Sequence, residues 1–260
     1  MKLMHAGVAA GALWLAAAGP GAAEDFRWEG RLGAGQTVEV KGINGEVRAS
    51  AASGPEVLVT ATKRGRRSDP EEVRIEVVEN RQGVTICAVY PSPSWREPNE
   101  CSPGEGGRMH TRDNDVEVEF TVHVPAGVGF VGRTVNGDVE ARSLETDVEA
   151  YTVNGSIQVS TNGVARAETV NGSIRASFGQ AKWSGELDLT TVNGSITVEL
   201  PEAAGAKVQA RTVNGHIDTD FPLTVQGRFG RHRLSGTIGD GGGELNLETV
   251  NGGIRLRKAP

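Results

Sequence analysis

Apolar residues alternate with polar ones along most of the chain after residue 35, which is the period of strands with one buried face. The clearest example is the segment 116–124, in which five apolar residues alternate with four polar ones until Pro125 ends the run. Glycine is abundant, with 36 residues, and aromatic residues are scarce. The pattern therefore predicts many short strands joined by glycine-containing turns.

A four-residue unit, Thr-Val-Asn-Gly, recurs through the second half of the chain. Its copies begin at Thr134, Thr152, Thr169, Thr191, Thr212 and Thr249. The intervals between them are 18, 17, 22, 21 and 37 residues, and we interpret 234–238 as a degenerate copy inside the last interval. Ile43-Asn44-Gly45 is an outlying relative near the start. Self-similarity at about 20 residues is typical of a stacked repeat fold.

Each copy places two apolar-alternating strands around an Asn-Gly bend. The bend residues are Asn44, Gly45, Asn136, Gly137, Asn154, Gly155, Asn171, Gly172, Asn193, Gly194, Asn214, Gly215, Asn251 and Gly252. Because glycine and asparagine tolerate positive φ, we expect the bends to use it. Two architectures fit the pattern: a meander of hairpins with Asn-Gly turns, and a solenoid whose equivalent residues stack about 4.8 Å apart.

The residues before each bend favour the solenoid. A hairpin requires turn-forming residues but gives little reason for Thr and Val before every Asn, whereas stacked Asn and Thr side chains can hydrogen-bond along a solenoid. We therefore predict an all-β fold, a β-solenoid resembling a parallel β-helix, with an N-terminal β-rich capping region. Asn154 and Asn171 should then be neighbours on adjacent coils. The predicted interior positions include Ile157, Val159, Ile196, Val198, Leu245 and Leu247.

The predicted organisation has three parts. Residues 1–23 form a signal peptide, 24–125 an N-terminal β region with a disulfide-tethered loop, and 126–260 the repeat solenoid. The ends of a solenoid are exposed edges and need caps. We expect 24–125 to cover one end and the charged tail 255–260 to protect the other against edge pairing.

Three sequence features resemble a bacterial family named putative adhesin, a β-strand-repeat domain of unknown function. They are the Thr-Val-Asn-Gly-Ser-Ile units, the segment Val124-Pro125-Ala126-Gly127 and the early copy Ile43-Asn44-Gly45-Glu46-Val47. The resemblance spans roughly residues 36–258 and implies a β-solenoid-like fold in the cell envelope. The family has no accepted active site, so the resemblance transfers no catalytic residues.

The start of the chain has the features of a secretory signal peptide. Lys2 precedes an apolar run over 6–18, and Gly21 and Ala23 fit the small-residue positions before a cleavage site. The run is shorter than the roughly 20 residues that a membrane-spanning helix needs. We expect an exported protein, periplasmic or extracellular, with no membrane span in the mature chain.

The mature chain is acidic. Without Lys2 it has 26 basic and 33 acidic residues, so its net charge is 26 − 33 = −7. Nucleic-acid binding depends on the neutralisation of phosphates, so this charge argues against a nucleic-acid partner. The partners that we expect are an envelope protein or a surface polysaccharide.

Cys87 and Cys101 are the only cysteines, and export would place them in an oxidising compartment. We predict a structural disulfide between them, and a bridge closing about 15 residues would stabilise by roughly 3 kcal/mol. The alternative, a redox-active pair, would normally show a closer spacing such as Cys-x-x-Cys. The segment 91–115, here called the excursion, is long for a loop. It carries Trp95 beside Arg96, residue types enriched in binding hot spots. We expect partner contact there rather than on the repeat surface; the alternative is that Trp95 packs over the strand of Cys87.

The residues after each bend are expected to point outward in two rows. The first row is Asp138, Ser156, Ser173, Ser195, His216 and Gly253. The second row is Glu140, Gln158, Arg175, Thr197, Asp218 and Arg255. Sugar-cleaving β-helices need clustered carboxylates or a base beside a cation, and only His216, Asp218 and Asp220 form a suggestive group. No catalytic, phosphate-binding or metal-ligand motif occurs, so we predict no catalytic residues, no cofactor and no metal.

These observations favour a non-enzymatic, exported cell-envelope protein that acts as an adhesin-like scaffold or binding module. One alternative is a carbohydrate-active β-helix enzyme, which clustered acids along one wall would favour. The other is an accessory protein of an envelope-stress signalling system, for which the neighbouring genes would be informative.

Cleavage after Ala23 should leave Glu24 as the first residue of the mature protein. Intact mass spectrometry of the exported material measures this directly. A mass equal to that of all 260 residues would show that the leader is retained and would contradict the export prediction.

Overall fold

The computed structural model describes residues 25–92, 94, 97–225 and 230–259. The predicted signal peptide and the predicted contact residues Trp95 and Arg96 lie outside these ranges. Among the described residues, no helix is long and apolar enough to cross a membrane. The regular structure of this part is strands and one 3₁₀ turn, Pro70–Glu72.

The strands are β1 (Phe26–Gly30), β2 (Thr37–Lys41), β3 (Val47–Ala51), β4 (Val57–Arg64), β5 (Arg74–Asn80), β6 (Gly83–Val89), β7 (Glu117–Val124), β8 (Gly129–Arg133), β9 (Val139–Leu144), β10 (Val148–Tyr151), β11 (Ile157–Thr161), β12 (Ala165–Asn171), β13 (Ile174–Phe178), β14 (Glu186–Asn193), β15 (Ile196–Leu200), β16 (Ala206–Asn214), β17 (Ile217–Thr219), β18 (Leu223–Val225), β19 (Arg233–Ile238), β20 (Gly243–Asn251) and β21 (Ile254–Lys258).

These strands form two sheets that face each other across the core. Sheet A has the order β1-β4-β7-β3-β9-β11-β13-β15-β21-β17, and sheet B the order β18-β19-β16-β20-β14-β12-β10-β8-β2-β6-β5. Neighbours pair in parallel from β7 to β17 and from β6 to β16. At each of the seven Asn-Gly bends named above the chain leaves sheet B and enters sheet A. The β-solenoid prediction is confirmed, and the hairpin alternative is wrong.

Inward-facing apolar residues fill the space between the sheets. The predicted interior residues of β11, β15 and β20 are at most 2% exposed. The parallel register places equivalent residues of neighbouring strands side by side. As a result, one column across sheet A consists of Ile157, Ile174, Ile196 and Ile254. Burial of each such side chain contributes about 2 kcal/mol relative to exposure, which makes this column a main source of stability.

The bend asparagines form a continuous hydrogen-bonded ladder. In spatial order they are Asn44, Asn136, Asn154, Asn171, Asn193, Asn251 and Asn214. Each Nδ2 donates to the Oδ1 of the preceding asparagine over 2.7–2.9 Å. Asn154 and Asn171 are therefore neighbours on adjacent coils, as predicted.

The threonine of each unit ties its coil to the next through a different acceptor. The hydroxyls of Thr134, Thr152, Thr169, Thr191, Thr249 and Thr212 donate to the bend glycine carbonyl of the adjacent coil over 2.8–3.0 Å. All six threonines are buried. The predicted hydrogen bonding along the stack is present, but it joins threonine to glycine and not threonine to threonine.

The bend glycines are needed for close approach, not for positive φ. Of the bend residues only Gly45 has a positive φ, at 118°, so the expected conformation is wrong for the other bends. A Cβ atom placed on the other six bend glycines would lie 1.8–2.0 Å from the glycine carbonyl oxygen of the adjacent coil. Only glycine permits the bends to stack at the distance that the ladder requires.

The order of coils in space differs from their order along the chain at both ends of the stack. The coil β2/β3 lies between the coil β6/β7 and the coil β8/β9, and β20/β21 lies between β14/β15 and β16/β17. The segment 234–238 belongs to β19, which pairs antiparallel with β16, so its interpretation as a degenerate coil is wrong. The interval of 37 residues instead contains a hairpin and a return into the stack.

The caps also differ from the prediction at one end. Strands β1, β4 and β5, which pair antiparallel with their neighbours, extend the sheets at the N-terminal end, as expected for 24–125. The tail does not cap the other end, because its strand β21 lies between β15 and β17 inside sheet A. That end is formed by β17, β18 and β19.

Substitution of Gly194 by valine should lower the free energy of unfolding by about 3 kcal/mol or more, because the new Cβ collides with the carbonyl oxygen of Gly172. Ser195→Val is the matched control. It removes one acceptor of a backbone N–H and should cost only about 1 kcal/mol. Urea unfolding measures both values, and equal losses would show that close approach at the bend is not limiting.

Candidate functional site

The outer face of sheet A carries a polar groove of about 680 Å³, here called the sheet A groove. It runs across β3, β9, β11, β13, β15 and β21, and its lining comes largely from the two outward rows that follow the bends. Successive strands are about 4.8 Å apart, so the groove presents an evenly spaced series of side chains. Its length along the stack suits an extended ligand.

Backbone contacts fix the hydroxyl row on the groove floor. The backbone N–H of Ser173 donates to Ser156 Oγ over 3.3 Å, and that of Ser195 donates to Ser173 Oγ over 3.2 Å. The N–H of Ser156 donates to Asp138 Oδ1 over 2.7 Å in the same manner. Because each serine oxygen accepts a backbone hydrogen, its own hydroxyl hydrogen is available to a ligand in the groove.

The four arginines of the groove divide into two that are paired and two that are unpaired. Arg48 pairs with Glu46, and Arg142 pairs with Glu140 over 2.5 Å. Arg175 and Arg255 lie on either side of Thr197 in the register of sheet A, about 10 Å apart at the strand spacing. Neither has an ion-pair partner within the described part of the chain. They are the groove's available cationic donors.

The group suggested by sequence does not converge on one point. His216 Nε2 lies 3.1 Å from Asp218 Oδ2, whereas Asp220 pairs with Arg257 over 2.6 Å. His216 and Asp218 are both about half exposed on the edge strand and its bend. The three residues therefore supply separate surface contacts rather than a shared centre. Across the described ranges, no three His, Cys, Asp or Glu side chains are grouped so that they could hold a metal ion.

The predicted disulfide between Cys87 and Cys101 is present, with the two Cα atoms 5.7 Å apart. Both cysteines are buried in a small cluster with Val89 on the outer side of sheet B. The excursion replaces the Asn-Gly bend in the coil β6/β7. At its base the Tyr90 hydroxyl donates to the carbonyl of Val116 over 2.8 Å.

A buried ion pair of β2 anchors the excursion to sheet B. Lys41 Nζ donates to the carbonyls of Ser102 over 2.5 Å, Gly104, and Gly106 over 3.1 Å. Glu39 accepts hydrogen bonds from the backbone N–H of Gly104 and from Arg133 Nε, both over 2.9 Å. Burial is the main cause that lowers the pKa of Lys41 below its ordinary value.

Sequence reasoning missed this anchor. Glu39 and Lys41 alternate with apolar residues and so are typical of a solvated strand face, yet each is only 6% exposed. No sequence signal marked them, because the pairing of their strand with that of Cys87 joins segments more than 40 residues apart along the chain. The contact predicted for Trp95 and Arg96 is not tested, because both lie outside the described residues.

Known proteins resemble this chain in sequence family and in fold. Residues 132–257 match the family described as Toastrack DUF4097. A solved structure of a putative cell adhesion protein from Clostridium sporogenes ATCC 15579 is 11% identical, with 90% of this chain and 99% of that chain covered and a TM-score of 0.52. A putative adhesin from Bacteroides fragilis NCTC 9343 is 9% identical over 89% of this chain and 96% of that one, with a TM-score of 0.28. No curated protein sequence matches.

At 11% identity the first of these structures supports the fold alone. It covers nearly the whole of both chains, which agrees with a stack that includes the N-terminal strands.

Replacement of Lys41 by alanine should lower the free energy of unfolding by about 2 kcal/mol, since three excursion carbonyls lose their donor. Limited proteolysis should also cut the excursion sooner. Lys207→Ala, an exposed change in the same sheet, is the control and should stay within about 0.5 kcal/mol. Equal unfolding curves for the two variants would show that the ammonium does not hold the excursion.

Proposed function

We propose that this chain, which carries a Toastrack DUF4097 domain over residues 132–257, is an exported, non-enzymatic binding module of the cell envelope. The observation that supports it is the sheet A groove, an evenly spaced polar surface on a rigid stack. The C. sporogenes structure of the same fold is described as a putative cell adhesion protein, which agrees with a binding role.

The rigidity of the stack favours binding. The asparagine ladder and the threonine–glycine bonds fix the bends, and the serine row fixes the groove floor. Ligand binding then costs little conformational entropy in the protein, because the site is already formed in the free state. A scaffold role, in which the same surface holds a partner in a fixed orientation, uses this property too.

Export is supported by two features of the sequence. The first 23 residues have the pattern of a signal peptide, and a buried disulfide is typical of proteins in oxidising compartments. The mature protein would then act in the periplasm or outside the cell, where an envelope protein or a surface polysaccharide is its partner.

The carbohydrate-active enzyme is the less favoured alternative. A glycosidase of the common kind uses one carboxyl group as acid and a second as base or nucleophile across the scissile bond. The groove has three carboxylates, Glu46, Asp138 and Glu140. Glu46 and Glu140 each pair with an arginine two residues away on the chain, and Asp138 accepts the backbone N–H of Ser156. This pairing is suited to surface recognition rather than to proton transfer.

The central experiment measures sedimentation of the purified mature protein with isolated envelopes. Arg175→Glu with Arg255→Glu reverses the unpaired charges of the groove and should weaken binding by about tenfold or more. Lys207→Glu with Arg211→Glu makes the same charge change on the exposed face of sheet B and is the control. Circular dichroism checks that all variants stay folded.

Two outcomes would contradict the proposal. Either the unaltered protein does not sediment with envelopes, or the groove and control variants lose binding equally. A loss confined to Trp95→Ala, with an unchanged melting temperature, would instead place the contact on the excursion.

A further inference from the structure

The sequence contains eight Asn-Gly pairs, and an asparagine followed by glycine can deamidate spontaneously. The glycine backbone nitrogen can attack the Cγ of the preceding asparagine, because glycine has no side chain to block the approach. A new N–C bond forms, the bond from Cγ to Nδ2 breaks, and ammonia leaves with the proton from the glycine nitrogen. Water then opens the resulting cyclic imide at either carbonyl, which leaves aspartate or isoaspartate in place of asparagine.

Within the stack the attacking nitrogen is held away from its target. The N–H groups of Gly45, Gly137, Gly155, Gly172, Gly194 and Gly252 each donate to the bend asparagine carbonyl of the next coil over 2.9–3.1 Å. The side chains of Asn136, Asn154, Asn171, Asn193 and Asn251 are held on both sides by the ladder. Asn44, the first member, accepts from Asn136 and donates its Nδ2 to the carbonyl of Val116 over 3.4 Å. Attack at these bends requires that a coil first separates from its neighbour, which is a local unfolding event.

The eighth pair, Asn162-Gly163, lies outside the ladder but is also held. The Gly163 N–H donates to Thr161 Oγ1 over 3.0 Å, and Asn162 Nδ2 donates to Glu145 Oε2 over 2.8 Å. The nitrogen and the side chain of this pair are therefore both engaged.

The last bend of the stack, Asn214-Gly215, differs because no further coil follows it. Asn214 Nδ2 donates to Asn251 Oδ1 over 2.8 Å, but within the described residues its own Oδ1 receives no hydrogen bond and the Gly215 N–H has no acceptor. Asn214 is exposed, and the strand after it, Ile217–Thr219, is a three-residue edge strand bonded on one side only. This bend can open without breaking a second interface.

We propose that Asn214 is the site of spontaneous deamidation in the folded protein and that the other seven Asn-Gly pairs are protected by their hydrogen bonds. In the product, a carboxylate at position 214 faces Asn251 Oδ1, which accepted a hydrogen bond from the Asn214 amide before the reaction. Two acceptors then face each other in place of a donor and an acceptor. The isoaspartate form also lengthens the backbone by one methylene ahead of the edge strand. Deamidation therefore begins at the bend between β16 and β17, outside the sheet A groove.

The test incubates the folded full-length mature protein at mildly alkaline pH and follows each Asn-Gly pair by peptide mapping with mass spectrometry and an isoaspartate assay. Asn214 should convert at least about tenfold faster than Asn154, Asn171 and Asn193, because those bends react only after local opening. In urea all eight pairs should react at similar rates. Asn214→Gln should abolish the native-state reaction, whereas Asn162→Gln, a change outside the ladder, should leave it unchanged.

Hydrogen exchange supplies a second, independent measurement. The Gly215 amide should exchange much faster than those of Gly155, Gly172 and Gly194. The proposal is overturned if Gly215 is as protected as these three, or if the folded protein deamidates at interior bends as fast as at Asn214.

Discussion

The hydrogen bond between bend asparagines of successive coils is the interaction on which the structure depends. A primary amide has donor and acceptor sites that match the 4.8 Å repeat of a parallel sheet, so one residue type can satisfy itself along the whole stack. Once the amides are aligned, the carbonyl oxygen of the adjacent coil lies so close to the glycine beside each amide that a Cβ atom could not fit there. The buried threonine then secures that same carbonyl. Three positions of the repeat are thus determined by one spacing.

The two outer faces of the stack have different surroundings. On sheet B, Glu39 and Lys41 are covered by the excursion, and the buried disulfide joins this loop to β6. On sheet A the corresponding face stays open along six strands. The charges follow this division, because the buried pair on sheet B is satisfied within the protein, whereas Arg175 and Arg255 on sheet A face solvent. The asymmetry directs recognition to one side of an otherwise regular fold.

Sequence reasoning reached the solenoid, the interior columns, the neighbour relation of Asn154 and Asn171, and the disulfide, because each follows from local alternation, from spacing or from residue identity. It did not reach the strand order at the two ends, since pairing between distant segments leaves no periodic trace. It assigned the bend glycines to positive φ because that is their common role in isolated turns, and the steric demand of a neighbouring coil is invisible in one copy. The partly exposed valines, such as Val153 and Val192 at 39% and 37%, recur for a reason that the stack does not explain.

The displaced first and last coils limit where a repeat can be added to the stack. In an ordinary solenoid a duplicated repeat can be added at either end and simply lengthens the rod. Here β2/β3 and β20/β21 are each enclosed between coils formed by other parts of the chain. Growth of the array in evolution is therefore confined to the consecutive coils from β8 to β15, where duplication displaces no enclosed strand.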